Sequence, residues 1–305
     1  MEILNIEREP RERLYLRHET SYSYSSPVSF SPHRLVLRPR EGHDVRLESM
    51  TLETFPASSI RWYRDILDNS IAIAEFNQTA TQLMIRSEFI IDLPPAENGD
   101  QAPLLVAYPP RVAGIDELAT VPYRQFTYPP EVDRLRRWFA DNGLAPSTGE
   151  QRPIFDDLTA LIYKTIRYNR REEHGVQSPV TTLDLASGSC RDMAVLMIET
   201  SRAMGFPARF VSGYLESANS NVGRGSTHAW AEIYLPDRGW TGYDPSIGRR
   251  VGPGHVAVGV SHHPRGVMPV TGGFTGYGAV NGPLVVTIST KRLPPSHESA
   301  ENGLK

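Results

Sequence analysis

The chain contains one cysteine, Cys190, so no intrachain disulfide can staple it and its fold must be held by buried cores. Its 305 residues suffice for one large or two ordinary domains, each with an adequate core. Nothing in the cysteine usage points to an oxidising compartment.

The place of that cysteine matters more than its number. Ser189-Cys190-Arg191-Asp192-Met193-Ala194 stands where a glycine-serine loop turns into an apolar run, with Leu196, Met197 and Ile198 continuing towards Gly205. Ser189 is a good N-cap, Asp192 makes a capping-box-like pair with it, and Gly205 is a helix-ending residue. The spacing predicts a helix that begins at Cys190 and is buried on most sides. The first turn of a helix carries unpaired N–H groups and the positive end of the macrodipole, which favour a thiolate over a thiol. Cys190 is therefore a candidate nucleophile. The alternative is a buried structural cysteine, and a histidine elsewhere decides between the two.

Three strand-like runs follow, at 208–215, 227–235 and 240–245, with a Ser, Asn and Gly-rich stretch at 216–226 and a turn at Pro236-Asp237-Arg238-Gly239. His228 opens the second run and Asp244 closes the third. Cys, His and Asp thus follow one another as nucleophile, base and orienting acid would. A simple hairpin pairs Leu235 with Trp240 and Ala231 with Asp244, leaving Asp244 three positions, about 10 Å, from His228. A hydrogen bond between them then requires a bulge or another loop register.

Gly188-Ser189-Cys190-Arg191-Asp192-Met193-Ala194, then Thr227-His228-Ala229-Trp230-Ala231-Glu232-Ile233-Tyr234, then Gly239-Trp240-Thr241-Gly242-Tyr243-Asp244-Pro245-Ser246 resemble the core of the bacterial transglutaminase-like superfamily. The resemblance implies a papain-like fold, with a cysteine-bearing helix packed on an antiparallel sheet that carries the histidine and the acid. It implies Cys190 as nucleophile, His228 as base and Asp244 as orienting acid. Leu16-Arg17-His18-Glu19-Thr20-Ser21-Tyr22-Ser23-Tyr24 and Pro32-His33-Arg34-Leu35-Val36-Leu37-Arg38-Pro39-Arg40 resemble the β-rich region that precedes this core in one bacterial branch. The stretch from His255-Val256-Ala257-Val258-Gly259 to Gly273-Phe274-Thr275-Gly276 resembles that branch's tail, although Gly259-Val260-Ser261-His262-His263 stands where relatives often carry Gly-Arg-Asp-Tyr.

The remaining sequence sets the frame. From Leu14 to about Leu93, short apolar runs alternate with Pro, Asn, Asp and Ser, which suggests a sandwich-like β domain with a hairpin turn at Asp68-Asn69-Ser70. Residues 92–130, with three Pro-Pro pairs, read as a connector. Helices are expected over Val132, Leu135, Trp138 and Phe139, and from near Pro153 through Thr165. The twenty residues before Ser189 show no regular period; they and 216–226 are read as walls of a substrate cleft. Gln177 is a candidate for an oxyanion-stabilising amide and Arg191 a candidate aid to the thiolate or a solvated arginine, while Trp230 and Trp240 either flank the cleft or fill the core.

Several function classes are excluded or disfavoured. A formal charge of −3 leaves no basic footprint for nucleic acid. His255, His262 and His263 lie in a Gly and Pro-rich tail without a second ligand cluster, so no metal site is read there, and no phosphate loop follows a strand. No stretch approaches a membrane span and Met1-Glu2-Ile3-Leu4-Asn5-Ile6-Glu7-Arg8 does not read as a signal peptide, so a cytoplasmic location is expected.

The expectation is an α+β chain. A β-sandwich-like domain occupies 1–95, a Pro-rich connector 96–130, and a papain-like transglutaminase core with a Gly-rich tail 131–305. Its expected chemistry is thiol-dependent acyl transfer at amide bonds of a peptide or protein substrate, without cofactor, metal, nucleic acid or membrane. Hydrolysis is preferred over transfer to an amine. A peptide-binding or assembly module that keeps the fold without catalysis is the rival from another class, and the oligomeric state is not read from the sequence.

Overall fold

The computed structural model describes residues 12–93, 102–171, 173, 175–216 and 227–294. Its first third is two antiparallel sheets. Strands β1 (Glu12–Phe30), β2 (His33–Leu35), β3 (Arg46–Phe55), β4 (Ser58–Arg64), β5 (Ser70–Phe76) and β6 (Ala80–Leu93) are ordered so that β1, β6 and β3 share one sheet and β2, β5 and β4 another. Along β1 the buried positions alternate through Leu14, Leu16, His18 and Thr20, the period of a strand with one covered face. The two sheets enclose Val28, Phe30, Leu35, Ala72, Ala74, Leu83 and Ile85, which makes the expected sandwich. The expected hairpin joins β4 to β5, with Arg64 opposite Ser70.

The long β1–β6 ribbon does a second job. At its other end Leu14, Leu16, Phe89 and Ile91 pack on Tyr214, Val256 and Val258 of the second sheet system. That system is a five-stranded antiparallel sheet, ordered 249–250, 239–244, 228–235, 208–215 and 255–261. Its other face carries the helices.

Helix α1 spans Ile115–Arg124, α2 Val132–Asp141, α3 Ile154–Thr165, α4 Pro179–Leu185 and α5 Cys190–Ala203. Twelve of the 14 residues of α5 are buried, so it is the central helix of the core rather than a surface one. Met193, Ala194 and Met197 pack with Ala229, Ala231 and Ile233 of the sheet and with Phe155, Leu158 and Ile162 of α3. Gly205 takes φ 88°, the left-handed conformation that stops a helix, and its N–H closes on the Arg202 carbonyl at 2.8 Å. The arrangement is mixed helix and antiparallel sheet, as expected.

Three local expectations are corrected. The stretch read as a connector contains α1, with Pro122 inside it; proline density masked a helix held by Thr120 and by the Tyr123 ring on Trp240 at 4.9 Å. The aperiodic stretch before Ser189 contains α4, capped by Ser178 with Pro179 at its first position, and a parallel bridge of Ser187-Gly188 with Arg167-Tyr168. The tail grouped with the second unit returns to the first: Val285–Leu293 pairs along β1 from Ser21 to Arg13, and Phe274–Thr275 pairs with Phe30 and Ser29. Long-range pairing of this kind closes an open sheet edge, a need that local sequence does not reveal. Among the described residues no helix is long and apolar enough to cross a membrane.

Candidate active site

The expected helix begins where the capping residues place it. Asp192 accepts hydrogen bonds from the Ser189 N–H and hydroxyl, both at 2.8 Å, and Cys190 is the first helical residue. Asp192 is fully buried and does more than cap. It also accepts from Arg171 Nη1 at 2.9 Å and from the Gln177 N–H at 2.7 Å, tying the preceding loop down onto the helix start. Arg191 reaches back to the Arg171 carbonyl at 3.2 Å, so it secures the same loop. The Gln177 side chain lies over Gly188, where an added Cβ would stand 3.3 Å from its Oε1, and it accepts from the Thr182 hydroxyl at 3.1 Å.

His228 and Asp244 come together by register, not by a bulge. Residues 236–238 form the turn and Gly239, at φ 74°, takes the left-handed place that such a turn needs, so Leu235 pairs with Gly239 and Ala231 with Tyr243. The ladder is continuous. This register is one step off the simple hairpin and points Asp244 at the level of Trp230, a diagonal neighbour of His228 on the same face. Their side chains span that diagonal, with His228 Nε2 2.6 Å from Asp244 Oδ2.

The group is dry. Cys190 is 7% exposed, His228 1% and Asp244 not at all. A carboxylate only accepts, so Nε2 of His228 carries the proton of that bond. Its other nitrogen, Nδ1, is buried and makes no hydrogen bond. Burial alone would push the imidazole towards neutrality; the Asp244 carboxylate, with the Cys190 thiol adjoining, outweighs it and holds His228 well above the usual histidine range. Burial likewise opposes the Asp244 charge, and His228 and His255 override it, keeping the carboxyl well below its ordinary range. The structure thus brings the three residues singled out in the sequence into one buried cluster.

Sequence reasoning missed two partners of Asp244. Ser246 donates its N–H at 3.0 Å and its hydroxyl at 2.6 Å to Oδ1. His255, set aside above with the tail histidines, opens the strand His255–Ser261 and places Nε2 3.0 Å from Oδ2. The ligand atoms of His228, Asp244 and His255 all lie within 4.8 Å of one another, as a metal site's would. The 2.6 Å approach is instead a hydrogen bond, because donors about 2.1 Å from a tetrahedral ion stand roughly 3.4 Å apart. Trp230 is buried beside the cluster, 5.2 Å from the His255 ring, whereas Trp240 stacks under Arg209 at 4.0 Å. The second expected cleft wall, 216–226, lies largely outside the described residues.

With this geometry in place, the comparisons are decisive at the level of family. Residues 14–92 match the bacterial transglutaminase-like N-terminal region and residues 144–245 the transglutaminase-like superfamily core. The chain belongs to the transglutaminase-like superfamily. It is 30% identical over 277 residues to the uncharacterized protein Rv2569c of Mycobacterium tuberculosis, covering 85% of this chain and 87% of that one. A shorter match, 34% over 83 residues, covers 25% of this chain and 12% of a protein-glutamine gamma-glutamyltransferase of Pseudomonas aeruginosa. In fold it is similar to a candidate cysteine protease from Cytophaga hutchinsonii, with a TM-score of 0.67, 15% identity and 95% of each chain covered. Family membership supports thiol-dependent catalysis as the general class.

Proposed function

We propose that this member of the superfamily is a cysteine peptidase or amidase that works through Cys190, His228 and Asp244. One observation carries the reading: the buried Nδ1 of His228 has no hydrogen-bond partner while Nε2 is locked on Asp244. A buried unsatisfied nitrogen costs about 1–3 kcal/mol, and a proton exchange with the neighbouring thiol gives it a purpose.

In the proposed reaction the Cys190 proton already rests on His228 Nδ1, as the raised imidazole requires, and the Sγ thiolate attacks the amide carbonyl. The oxyanion that forms meets the Cys190 N–H, which has no intrahelical acceptor, and the positive end of α5. Collapse breaks the C–N bond, and the Nδ1 proton goes to the leaving amine. Water, deprotonated by Nδ1, then attacks the thioester and releases the acid and the thiol. Asp244 holds the ring throughout and stays ionised.

Transfer of the acyl group to an amine instead of water is the second reading, favoured by the local match to the gamma-glutamyltransferase. Both use the same triad and differ in water exclusion and amine binding. Peptide libraries incubated with and without a primary amine, and read by mass spectrometry, separate them. Hydrolysed product that disappears in Cys190→Ala supports the peptidase; an amine adduct as the main product sinks it. Absence of any product from the wild-type protein, together with peptide binding, would turn the assignment to a non-catalytic module. The location carried with this reading is the cytoplasm, which cell fractionation tests.

A further inference from the structure

Asp244 is an unusually crowded carboxylate. It is wholly buried, and each oxygen takes two donors: Ser246 N–H and hydroxyl on Oδ1, His228 and His255 on Oδ2. Three of the four come from groups outside Cys190, His228 and Asp244. The Ser246 contacts are local, two residues along the chain. His255 is different, because it arrives on another strand at the far edge of the sheet, which pairs with residues 210–215 rather than with the Asp244 strand.

The His255 ring is built to donate there. The Gly252 N–H faces its Nδ1 at 3.2 Å. The Gly252 carbonyl, 3.3 Å from the same nitrogen, already accepts the His255 backbone N–H at 2.9 Å. An amide N–H only donates and a carboxylate only accepts, so Nδ1 is the acceptor for Gly252 and the ring proton sits on Nε2, directed at Asp244. The ring plane is fixed by Trp230, which meets it edge to face at 79°, and Trp230 also lies 6.2 Å from the His228 ring.

We propose that His255 is a positioning residue of the site: its Nε2–H fixes the Asp244 carboxylate in the orientation that takes the Nε2–H of His228, and thereby aims Nδ1 at Cys190. The inference rests on the catalytic reading given above. Two donors on one oxygen favour the ionised acid beside the His228 imidazolium, so the proton taken from the thiol stays on His228. No proton moves to or from His255. Without it Oδ2 keeps one donor, and the carboxylate is held against turning about its Cβ–Cγ bond by His228 and the local Ser246 donors alone.

The test needs no substrate, because every adduct on this protein's thiol reports on Cys190. The rate of alkylation by iodoacetamide at neutral pH is measured in the full chain for wild type, His255→Asn, His255→Phe, His255→Gln, Asp244→Asn, the double variant His255→Asn/Asp244→Asn, and His228→Ala, with thermal melting as the control for folding. Asparagine cannot extend a donor to where Nε2 stood, phenylalanine keeps the packing on Trp230 without a donor, and glutamine replaces the N–H. The expected result is about a tenfold loss in the Asn and Phe variants, the size typical of an outer hydrogen-bond partner, with rescue by Gln and no added loss in the double variant. Wild-type rates in both donorless variants, or equal losses with and without Asp244, overturn the positioning role. If His228→Ala slows alkylation while the His255 variants do not, only this inference fails. If His228→Ala also leaves the rate unchanged, the catalytic reading fails and takes the inference with it.

Discussion

His228 Nε2 and Asp244 Oδ2 meet at 2.6 Å across a strand diagonal, beyond the last ladder pair, Ala231 with Tyr243. The contact therefore rests on side-chain reach and on the other donors around Asp244, not on backbone pairing. Asp244→Asn keeps the volume but sets an amide N–H either against the two imidazole donors at Oδ2 or against the Ser246 N–H at Oδ1. On a substrate found by the product assay, kcat is expected to fall on the order of 10³-fold with KM within about threefold. A loss confined to KM would contradict the role given to Asp244.

The loop before the cysteine is held through one carboxylate. Asp192→Ala removes the partner of Arg171, the Gln177 N–H and two Ser189 donors together, in a buried place. Unfolding in urea should show a loss of about 3–5 kcal/mol. Limited proteolysis should cut near residue 173 faster than in wild type. Unchanged stability would mean that water replaces the carboxylate.

His18 gives the protein an acid-sensitive joint. It lies on β1, buried, with Nδ1 2.8 Å from the hydroxyl of Tyr214 in the second sheet system and Nε2 2.9 Å from Thr20. Burial pushes its pKa down to about 4 from 6.5. Above pH 6.5 the residue is neutral both folded and unfolded and contributes no pH dependence. As pH falls from 6.5 the unfolded chain takes up a proton that the folded one resists, so stability drops until about pH 4, by about 3 kcal/mol. Denaturation curves across that window should show the drop, and His18→Gln should flatten it.

Gly213 is the residue that lets Trp230 lie beside the site. Opposite His228 in the ladder, it has the Val256 carbonyl oxygen 2.2 Å and Trp230 Cη2 2.6 Å from where a Cβ would be. The first of these is backbone and cannot step aside. Gly213→Ala should cost about 3 kcal/mol and slow Cys190 alkylation through a displaced Trp230. Wild-type melting temperature and alkylation rate together would refute the packing argument.

What the sequence determined by itself is local. The start of α5 at Cys190, its cap, its stop at Gly205, the strands carrying His228 and Asp244, and the alternation of β1 all depend on residues a few positions apart, whose hydrogen bonds and faces follow from spacing. The family motifs lie in the same stretches, so the three candidate residues were legible as well. The tertiary structure alone decided what surrounds them. A left-handed Gly239 set the register that a simple count missed by one, and side chains crossed the remaining diagonal. His255 carries no local sign of its contact, because the strand that brings it to Asp244 is ordered by pairing with 210–215. The return of Val285–Leu293 to β1 is equally silent in sequence, since an open sheet edge accepts any strand that satisfies its backbone groups and matches its covered face.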